Sequence, residues 1–304
     1  MTSTGRVGVA VLDFGRPRDA EEAAASARDP ALDVRVLIVE NGADVAAHHP
    51  DRLRLPENRG FAGGMNAGLE ALLGEGCERI LLLNNDAVLD PGCLQRLARA
   101  LDDPGLGAVG PVILRAADGR VESRGLSVDL AYGRVRMVGH GEPAVVQAGV
   151  VSADALSGAV MMMSRAALER IGLLDERYFF SFEDVDWCVR ARRAGLGVAV
   201  VLDARARHLG SRTIGASPSR LYYSARNHLA AARKLEPRRG VRGWLRDGAI
   251  FGLNLAHALK QREVGRVAAC RAVLRGHRDA LRGRLGPSPC DPAQSPGTAA
   301  DASG

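Results

Sequence analysis

Apolar runs alternate with stretches of helical composition over the first 115 residues of the chain. The predicted strands are residues 7–12, 34–39, 53–55, 79–83 and 108–113, and the predicted helices are residues 20–27, 65–73 and 91–101. The main strands are apolar throughout rather than alternating in polarity, which is typical of parallel strands with helices on both faces. The pattern predicts an α/β fold built on a central, mostly parallel sheet.

The rest of the chain is less regular. Short hairpin strands are expected between residues 115 and 155, and the later predicted elements are an apolar stretch at 157–164, helices at 165–171 and 182–194, a strand at 198–202, and further helices from Pro218 to about 284. No apolar run approaches the ~20 residues that a bilayer-spanning helix needs. The N-terminus lacks the apolar segment of a signal peptide, so the sequence predicts a cytoplasmic protein.

The composition is that of a globular protein, with 46% hydrophobic and 25% charged residues. This balance excludes wholesale disorder and a fibrous repeat. Five cysteines are present without a C-x-x-C pair, which argues against a disulfide framework or a zinc–cysteine site.

Positive charge is concentrated near the C-terminus. Residues 233–284 carry 14 basic and 4 acidic side chains, whereas residues 1–232 carry 27 basic and 29 acidic ones. Apolar residues are interleaved with arginines over 238–284, so these helices either contact an anionic membrane surface or pack on the main domain or on a second subunit. We favour packing. Nucleic acid is not an expected partner, because no recognition module is visible.

Polar side chains follow the predicted strands. Asp13, Glu40 and the triplet Asn84-Asn85-Asp86 come where strands end. Ligands of parallel α/β sheets bind beyond the carboxyl ends of the strands. Asn84 and Asp86 offer oxygen atoms two residues apart, which suits a divalent cation held beside a diphosphate. A turn that caps the strand is the alternative, and it is favoured when the triplet is taken alone.

A glycine-rich stretch, Glu57-Asn-Arg-Gly-Phe-Ala-Gly-Gly-Met-Asn-Ala-Gly68, precedes and enters a predicted helix. Its first part, residues 58–64, is predicted to be a loop. Glycines before a helix let the backbone approach a phosphate closely. The stretch does not fit G-x-G-x-x-G, and G-x-x-x-x-G-K-[ST] is absent from the sequence, so dinucleotide-binding and P-loop sites lose their support. In isolation, a glycine-bearing connection is the favoured interpretation.

Three carboxylates and a group of aromatic residues are crowded into residues 178–187. Glu183, Asp184 and Asp186 fall in the first turn of a predicted helix, where the helix dipole favours acidic residues. The aromatic residues also suit a dry site in which a carboxylate acts as a general base. His208, just past the last predicted strand, is a candidate metal ligand, although a lone histidine is more often structural.

The order of these motifs resembles the family 2 glycosyltransferases, above all the bacterial rhamnosyltransferase-like members that act in polysaccharide and glycoconjugate assembly. The motifs are Glu40-Asn-Gly, the stretch Glu57 to Gly68, Leu81-Leu-Leu-Asn-Asn-Asp86, Ser157-Gly158, Leu174-Asp-Glu-x-x-Phe-Phe180, Glu183-Asp-x-Asp-x-Cys-x-Arg190, Ala194-Gly195, His208 and Tyr222-Tyr-x-x-Arg-Asn227. Each motif is weak alone. Together, in one order between about Val7 and Leu235, they are specific.

The resemblance implies a GT-A fold, which is Rossmann-like, and a nucleotide-diphosphate sugar donor used with Mg²⁺ or Mn²⁺. It implies that Asp86 and His208 bind the metal and that Asp184 is the catalytic base, with Glu183 beside it. The residues that it implies for binding the nucleotide sugar are Glu40, Asn58, Arg59, Gly60, Gly63, Asn66, Asn84, Asn85, Ser157, Gly158 and Asp186.

The resemblance, together with the composition of the C-terminal region, implies a domain plan and a reaction. Residues 1–235 would form the catalytic domain, with the nucleotide-sugar part at about 1–115 and the acceptor part at about 150–235. Residues 236–285 would be a basic helical region and 286–304 a disordered tail, since the tail has no apolar period. Asp184 would take the proton from an acceptor hydroxyl, so that a UDP- or dTDP-sugar is transferred with inversion. The acceptor would be a glycan, a lipid-linked glycan or a small molecule, met in the cytoplasm or at the inner face of the membrane.

Two alternatives from other classes stay open. One is a glycosyltransferase-like protein that binds a nucleotide or glycan without catalysis, and the presence of both Asp86 and Asp184 argues against it. The other is a sugar nucleotidyltransferase. That chemistry uses a glycine-rich, basic N-terminal loop. Residues 12–19 match this loop only weakly, with one glycine and two arginines.

Overall fold

The computed structural model of the chain describes residues 5–42, 49–209 and 217–288, and within them twelve strands and eight α-helices form. The strands are β1 (Val7–Asp13), β2 (Val34–Asn41), β3 (Arg52–Leu55), β4 (Arg79–Asn84), β5 (Ala87–Leu89), β6 (Leu106–Arg115), β7 (Val121–Ser123), β8 (Leu126–Asp129), β9 (Arg134–Met137), β10 (Val150–Ser152), β11 (Val160–Ser164) and β12 (Gly197–His208). The α-helices are α1 (Pro17–Ser26), α2 (Gly60–Gly74), α3 (Cys93–Ala100), α4 (Arg165–Ile171), α5 (Glu183–Arg193), α6 (Pro218–Leu235), α7 (Gly240–Lys260) and α8 (Arg266–Leu281). Short 3₁₀ turns lie at Glu176–Tyr178 and Arg262–Val264.

The central sheet has the strand order β10-β12-β6-β11-β4-β1-β2-β3, with β5 added to β12 and β7 added to β6. Strands β1, β2, β3, β4, β6 and β12 run in one direction, and the short strands β5, β7, β10 and β11 run in the other. The predicted α/β fold with a mostly parallel sheet is confirmed. In register, Asp13 lies opposite Glu40 and Leu12 opposite Asn84, so three polar strand ends meet at one edge.

Helices cover both faces of this sheet, as predicted. Alternate residues of β1 enter two separate apolar clusters: Val9 and Val11 pack with α1 and α3, whereas Ala10 and Leu12 pack with α2 and α5. Both faces of the strand are therefore dry. This explains why its sequence shows an unbroken apolar run rather than an alternation.

Two sequence-predicted boundaries are wrong. Helix α2 begins at Gly60, so most of the stretch expected to be a loop is helical. It lies so close to the sheet that a Cβ on Gly64 would come within 2.5 Å of a Leu12 methyl carbon. The glycines therefore serve the close packing of a helix on a strand. Strand β12 continues to His208 across a register shift after Val201, and His208 belongs to the strand rather than following it.

The C-terminal helices pack against α6. Their shared apolar cluster contains Leu221 and Tyr222 of α6 with Ala269 and Val273 of α8. Contact is close, since a Cβ on Gly276 would lie 2.4 Å from the Tyr222 carbonyl oxygen. No helix in the described part of the chain is both long and apolar enough to cross a membrane.

The expected tail falls mostly outside the described residues. Its first residues are held in place: the Gly286 N–H donates to the Arg177 carbonyl over 2.6 Å, and the Ser288 N–H donates to the Tyr223 hydroxyl over 2.8 Å. Residues 289–304 lie beyond the part of the chain that the structure describes.

Candidate active site

Asp86 and His208 lie side by side at the edge where the parallel strands end. Asp86 occupies the turn between β4 and β5, and β5 pairs with the last residues of β12 so that Ala87 lies opposite His208. His208 Nε2 is 3.2 Å from Asp86 Oδ1, and both side chains are buried. Strand pairing thus brings together two residues that are 122 positions apart.

Glu122 of β7 stands behind His208, and the sequence motifs gave no indication of it. His208 Nδ1 is 2.9 Å from both carboxylate oxygens of Glu122. Burial by itself would lower the pKa of His208, but hydrogen bonds to Asp86 and Glu122 raise that pKa to about 9. A carboxylate on the far nitrogen fixes the orientation of the ring, as is common for metal-binding histidines.

A divalent metal fits the pair formed by Asp86 and His208. A site with three or more His, Cys, Asp or Glu ligands does not occur within the described residues, so the protein would supply few of the bonds. Mg²⁺ beside a diphosphate takes most of its ligands from phosphate and water, and two neighbouring ligands at about 2.1 Å from the ion lie about 3 Å apart. The 3.2 Å contact between Asp86 Oδ1 and His208 Nε2 is a hydrogen bond, so a metal bound by this pair would take the place of the proton on His208 Nε2.

The two asparagines before Asp86 have different surroundings. Asn85 is buried, and its Nδ2 donates to Asp13 Oδ1 over 3.1 Å, which ties the turn to the end of β1. Asn84 keeps a buried Oδ1 that has no hydrogen-bond partner among the described atoms. Buried acceptors normally find a partner, so the Asn84 Oδ1 atom is positioned to accept a hydrogen bond from a ligand or a water molecule.

Asp184, at the start of α5, lies against the backbone of the Ser157-Gly158 motif. Its Oδ2 accepts from the Gly158 N–H over 2.8 Å, and its Oδ1 accepts from the Val185 N–H over 2.7 Å. Burial raises the pKa of Asp184, and these two N–H groups partly offset the shift. A Cβ on Gly158 would lie 3.3 Å from the Phe61 ring and 3.4 Å from the Asp184 Cβ, so the backbone of Gly158 is packed closely between these two side chains.

Glu183 is more deeply buried than its neighbour. Its Oε2 has no hydrogen-bond partner among the described atoms, and burial together with the charges of Asp184 and Asp186 raises its pKa well above the ordinary value. Two adjacent carboxyl groups with raised pKa values are the arrangement expected where a proton is held or moved.

The pairing of β4 with β11 joins the two halves of the site. Val160 lies opposite Leu83, and the Asn84 N–H donates to the Ala159 carbonyl over 2.9 Å. The turn that carries Asp86 is therefore next to the segment that holds Asp184. Ser157 contributes locally, since its Oγ accepts from the Ala159 N–H over 3.3 Å.

The backbone just before Asp184 is strained. Phe179, Ser181 and Phe182 have φ values of 64°, 72° and 74°, and they are the non-glycine residues with positive φ in the described part of the chain. Such conformations cost of order 1 kcal/mol each and persist only where the surroundings hold them. Strain of this kind is concentrated at functional sites, which agrees with the position of Asp184.

Arg226 and Asn227, the end of the Tyr222 motif, hold this strained segment. Both are buried in α6. The Nδ2 group of Asn227 shares its hydrogens among the carbonyl oxygens of Tyr178, Phe180 and Ser181, at 2.8, 2.6 and 2.9 Å. Arg226 Nη2 also donates to the Tyr178 carbonyl over 2.8 Å. The motif therefore acts through the loop that precedes the candidate base.

An Asn227→Ala variant is expected to lose about 2–3 kcal/mol of unfolding free energy, because the Phe180 and Ser181 carbonyls lose their side-chain donor and the Tyr178 carbonyl keeps only the one from Arg226. Catalytic rate should fall with it, since the loop before Asp184 is released. Urea denaturation measures the stability loss. Ser26→Ala is the control: its Oγ donates to the Ala23 carbonyl and accepts from the Leu89 N–H on the opposite face of the sheet, so it should lose about 1 kcal/mol at unchanged rate. Equal stability of Asn227→Ala and wild type would contradict the anchoring role.

Most predicted residues of the glycine-rich stretch make contacts within the protein. Asn58 Oδ1 accepts from the Gly60 N–H over 2.9 Å, and a Cβ on Gly60 would meet the Phe179 carbonyl oxygen at 2.3 Å. The Asn66 side chain makes two hydrogen bonds to the Leu174 backbone: it donates to the carbonyl over 2.9 Å and accepts from the N–H over 3.0 Å. These residues fasten α2 to the segment that leads to Asp184.

Gly63 and Arg59 lie one turn apart at the start of α2. A Cβ on Gly63 would be 2.8 Å from the Arg59 Cβ. The partly exposed Arg59 guanidinium lies 3.3 Å from Glu176, so it is a cation at the surface of this segment.

Glu40 and Asp186 are both held by cations. Glu40 accepts from Arg52 over 2.6 Å and from Arg54 over 2.5 Å; burial would raise the pKa of Glu40, but these bonds outweigh it and the pKa is lowered. Asp186 is wholly buried and accepts from Lys234, Arg190 and the Tyr178 hydroxyl. Because its oxygens are already engaged inside the protein, we leave Asp186 out of the proposed sugar-binding set.

Arg220 is a further cation near Glu122 and Asp86, and the sequence motifs gave no indication of it. It lies in the first turn of α6, and its charge is attracted by Glu122 and Asp86. A guanidinium in that position suits the charge of a diphosphate.

The fold is that of the GT-A glycosyltransferases. It is similar to the mannosyltransferase PcManGT from Pyrobaculum calidifontis, solved in complex with GDP-Man and Mn²⁺, with a TM-score of 0.56. The match covers 93% of this chain and 89% of that chain at 18% sequence identity, so it bears on the fold alone.

Residues 22–233 match the family described as "Glycosyltransferase like family 2". The chain therefore belongs to the family 2 glycosyltransferases, and the resemblance inferred from the order of its motifs is confirmed.

Two relatives are similar at modest identity. The dTDP-rhamnosyl transferase RfbF of Shigella flexneri is 26% identical over 192 residues, covering 59% of this chain and 62% of that protein. The N-acetylglucosaminyl-diphospho-decaprenol L-rhamnosyltransferase of Mycobacterium tuberculosis is 28% identical over 230 residues, covering 66% of this chain and 72% of that protein. The chain thus spans a little less than two thirds of the Shigella protein.

Proposed function

We propose that this chain transfers a sugar from a dTDP- or UDP-sugar to a hydroxyl group of a glycan, a lipid-linked glycan or a small molecule, with inversion and with Mg²⁺ or Mn²⁺. The observation that carries the proposal is the juxtaposition of a ligand pair, Asp86 and His208, with a raised-pKa carboxylate, Asp184, across the β4–β11 pairing. The names of the two rhamnosyltransferase relatives support a deoxyhexose, and the name of the Shigella relative supports dTDP as its carrier. The mannosyltransferase complex supports a metal at such a site.

In this proposal Asp184 accepts the proton of the acceptor hydroxyl as that oxygen attacks the anomeric carbon. Attack opposite to the leaving group inverts the configuration at that carbon. The Gly158 and Val185 N–H groups hold the carboxylate in place, and the buried carboxyl of Glu183 lies beside it. General-base catalysis needs the carboxylate within hydrogen-bond reach of the hydroxyl.

The departing nucleoside diphosphate leaves on the Asp86 side of the site. When bound to Asp86 and His208, Mg²⁺ or Mn²⁺ would neutralise charge that grows on the diphosphate. Glu122 holds the His208 ring in the orientation that aims Nε2 at Asp86. Arg220 and Arg59 are the cations of this chain that we propose to contact phosphate oxygens. We propose residues 1–235 as the catalytic domain, with the donor part at about 1–115 and the acceptor part at about 150–235.

Calorimetric titration with dTDP, UDP, GDP and CDP tests the donor site, each nucleotide with and without Mn²⁺. We expect dTDP or UDP to bind, and to bind at least about tenfold more tightly with Mn²⁺, which corresponds to about 1.4 kcal/mol. A titration in buffer containing EDTA and no added Mn²⁺ is the control for metal carried over with the protein. Absence of binding by all four nucleotides to correctly folded protein would refute the proposal.

A further inference from the structure

Helix α8 presents an exposed surface that is half apolar and half basic. Val267, Leu274 and Leu281 recur every seven residues and are 65%, 54% and 48% exposed. On the same face, exposed arginines form a parallel row at Arg271, Arg275, Arg278 and Arg282. The opposite face, with Ala269, Ala272 and Gly276, is buried against α6.

Helix α7 presents an exposed face without charge. At helical spacing this face carries Val241, Leu245, Gly248, Gly252 and Leu259, all exposed, and Trp244 at its edge is 78% exposed. Its opposite face is buried through Arg246, Asp247 and Ile250. Large exposed apolar surfaces on a folded protein mark sites of interaction.

We propose that α7 and α8 dock the enzyme on an anionic phospholipid bilayer, with both helices lying along the surface rather than crossing it. Charge complementarity identifies the partner. Residues 233–284 carry a net charge of +10, and an anionic leaflet attracts such a segment, while the apolar side chains and Trp244 enter the headgroup boundary. A second copy of this chain would bring two segments of the same charge together, which is unfavourable.

The distribution of charge over the chain also orients the protein. Residues 1–232 carry two more acidic than basic side chains, so an anionic surface attracts the C-terminal helices more strongly than the rest of the chain. Helix α8 packs on α6, and α6 holds the loop before Asp184 through Arg226 and Asn227. The docking surface is thus one helix layer away from the loop that carries the proposed base. The docking itself does not depend on the proposed reaction, and it is measured without nucleotide.

The test is flotation of the full-length chain with vesicles of phosphatidylcholine containing about 30% phosphatidylglycerol, an anionic lipid, compared with vesicles of phosphatidylcholine alone. We expect binding to the anionic vesicles only, and loss of most of it in about 0.5 M NaCl, where charges are screened beyond a few ångströms. Equal binding to both vesicles, or to neither, would overturn the proposal.

Variants test whether vesicle binding depends on the exposed faces of α7 and α8 or on positive charge anywhere on the protein. Arg271→Glu with Arg278→Glu should weaken vesicle binding about tenfold or more. Trp244→Ser with Leu245→Ser, which removes exposed apolar side chains of α7, should have a similar effect. Arg18→Glu with Arg99→Glu is the matched control, because these exposed arginines of α1 and α3 give the same charge change on another face. All these side chains are exposed, so the variants should unfold at the wild-type temperature. An equal effect of the control pair, or a stable dimer that buries α7 and ignores vesicles, would overturn the proposal.

Discussion

An Asp184→Asn variant is expected to transfer sugar about 10²- to 10⁴-fold more slowly than wild type while binding the donor nucleotide with unchanged affinity. The amide cannot accept the proton of the acceptor hydroxyl, but it keeps the size of the carboxylate between Gly158 and Val185. The measurement is nucleoside diphosphate release from the sugar nucleotide that binds, together with calorimetry of donor binding.

Asp203→Asn is the control for this variant, because Asp203 is a surface carboxylate whose partner is Arg96. It should leave both the rate and the affinity unchanged. Near-normal turnover by Asp184→Asn would show that another group removes the proton, and loss of donor binding would show that Asp184 holds the donor instead.

The pH dependence of the wild-type rate follows from the same carboxylate. Burial raises the pKa of Asp184, and the base works only when it is deprotonated. The rate should therefore fall as the pH is lowered through that raised pKa, so the acidic limb of kcat/KM lies above the ordinary range of an aspartate. This limb should be absent from the residual activity of Asp184→Asn. A limb at the ordinary aspartate pKa in wild type would contradict the assignment.

An Asp86→Ala variant is expected to abolish the gain in nucleotide affinity that Mn²⁺ provides, because the ion loses its carboxylate ligand. Calorimetric titration with and without Mn²⁺ measures the effect. Glu122→Gln should have a smaller effect, because His208 keeps its ring and loses only the carboxylate that orients it. The Mn²⁺-dependent nucleotide affinity should fall about tenfold, as metal affinity commonly does when such a supporting partner is removed.

Asp203→Asn serves as the control here too. An Asp86→Ala protein with a wild-type response to Mn²⁺ would place the metal elsewhere. A Glu122→Gln protein with the full response would show that the ring of His208 needs no such support.

Local patterns in the sequence were sufficient for the elements and for the class of fold. Apolar strands between amphipathic helices predicted the sheet, and the polar strand ends at Asp13, Glu40 and Asn84 lie at one edge as expected. These predictions succeed because the accessible face of a strand or helix is decided by residues two to four positions apart. The order of the motifs was enough to indicate the family.

The tertiary structure decided which of those motif residues meet, and it added residues that no motif contains. Glu122 reaches His208 across 86 positions because β7 pairs with β6 beside β12, and the stretch around Glu122 has no pattern that indicates it. Asn66 belongs to the set implied to bind the donor and Asn227 ends a family motif, and their amides bond to backbone groups 108 and 46–49 positions away.

The sequence by itself therefore determined the α/β class, the order of the elements, the family and the list of chemically capable side chains. The tertiary structure alone decided that Asp86 faces His208, that Asp184 is fixed by Gly158, and that the buried Asp186 pairs with Arg190 and Lys234. The physical reason is the range of the interactions: propensity and periodicity are local, whereas a site is made by strand pairing and helix packing between segments far apart in the chain.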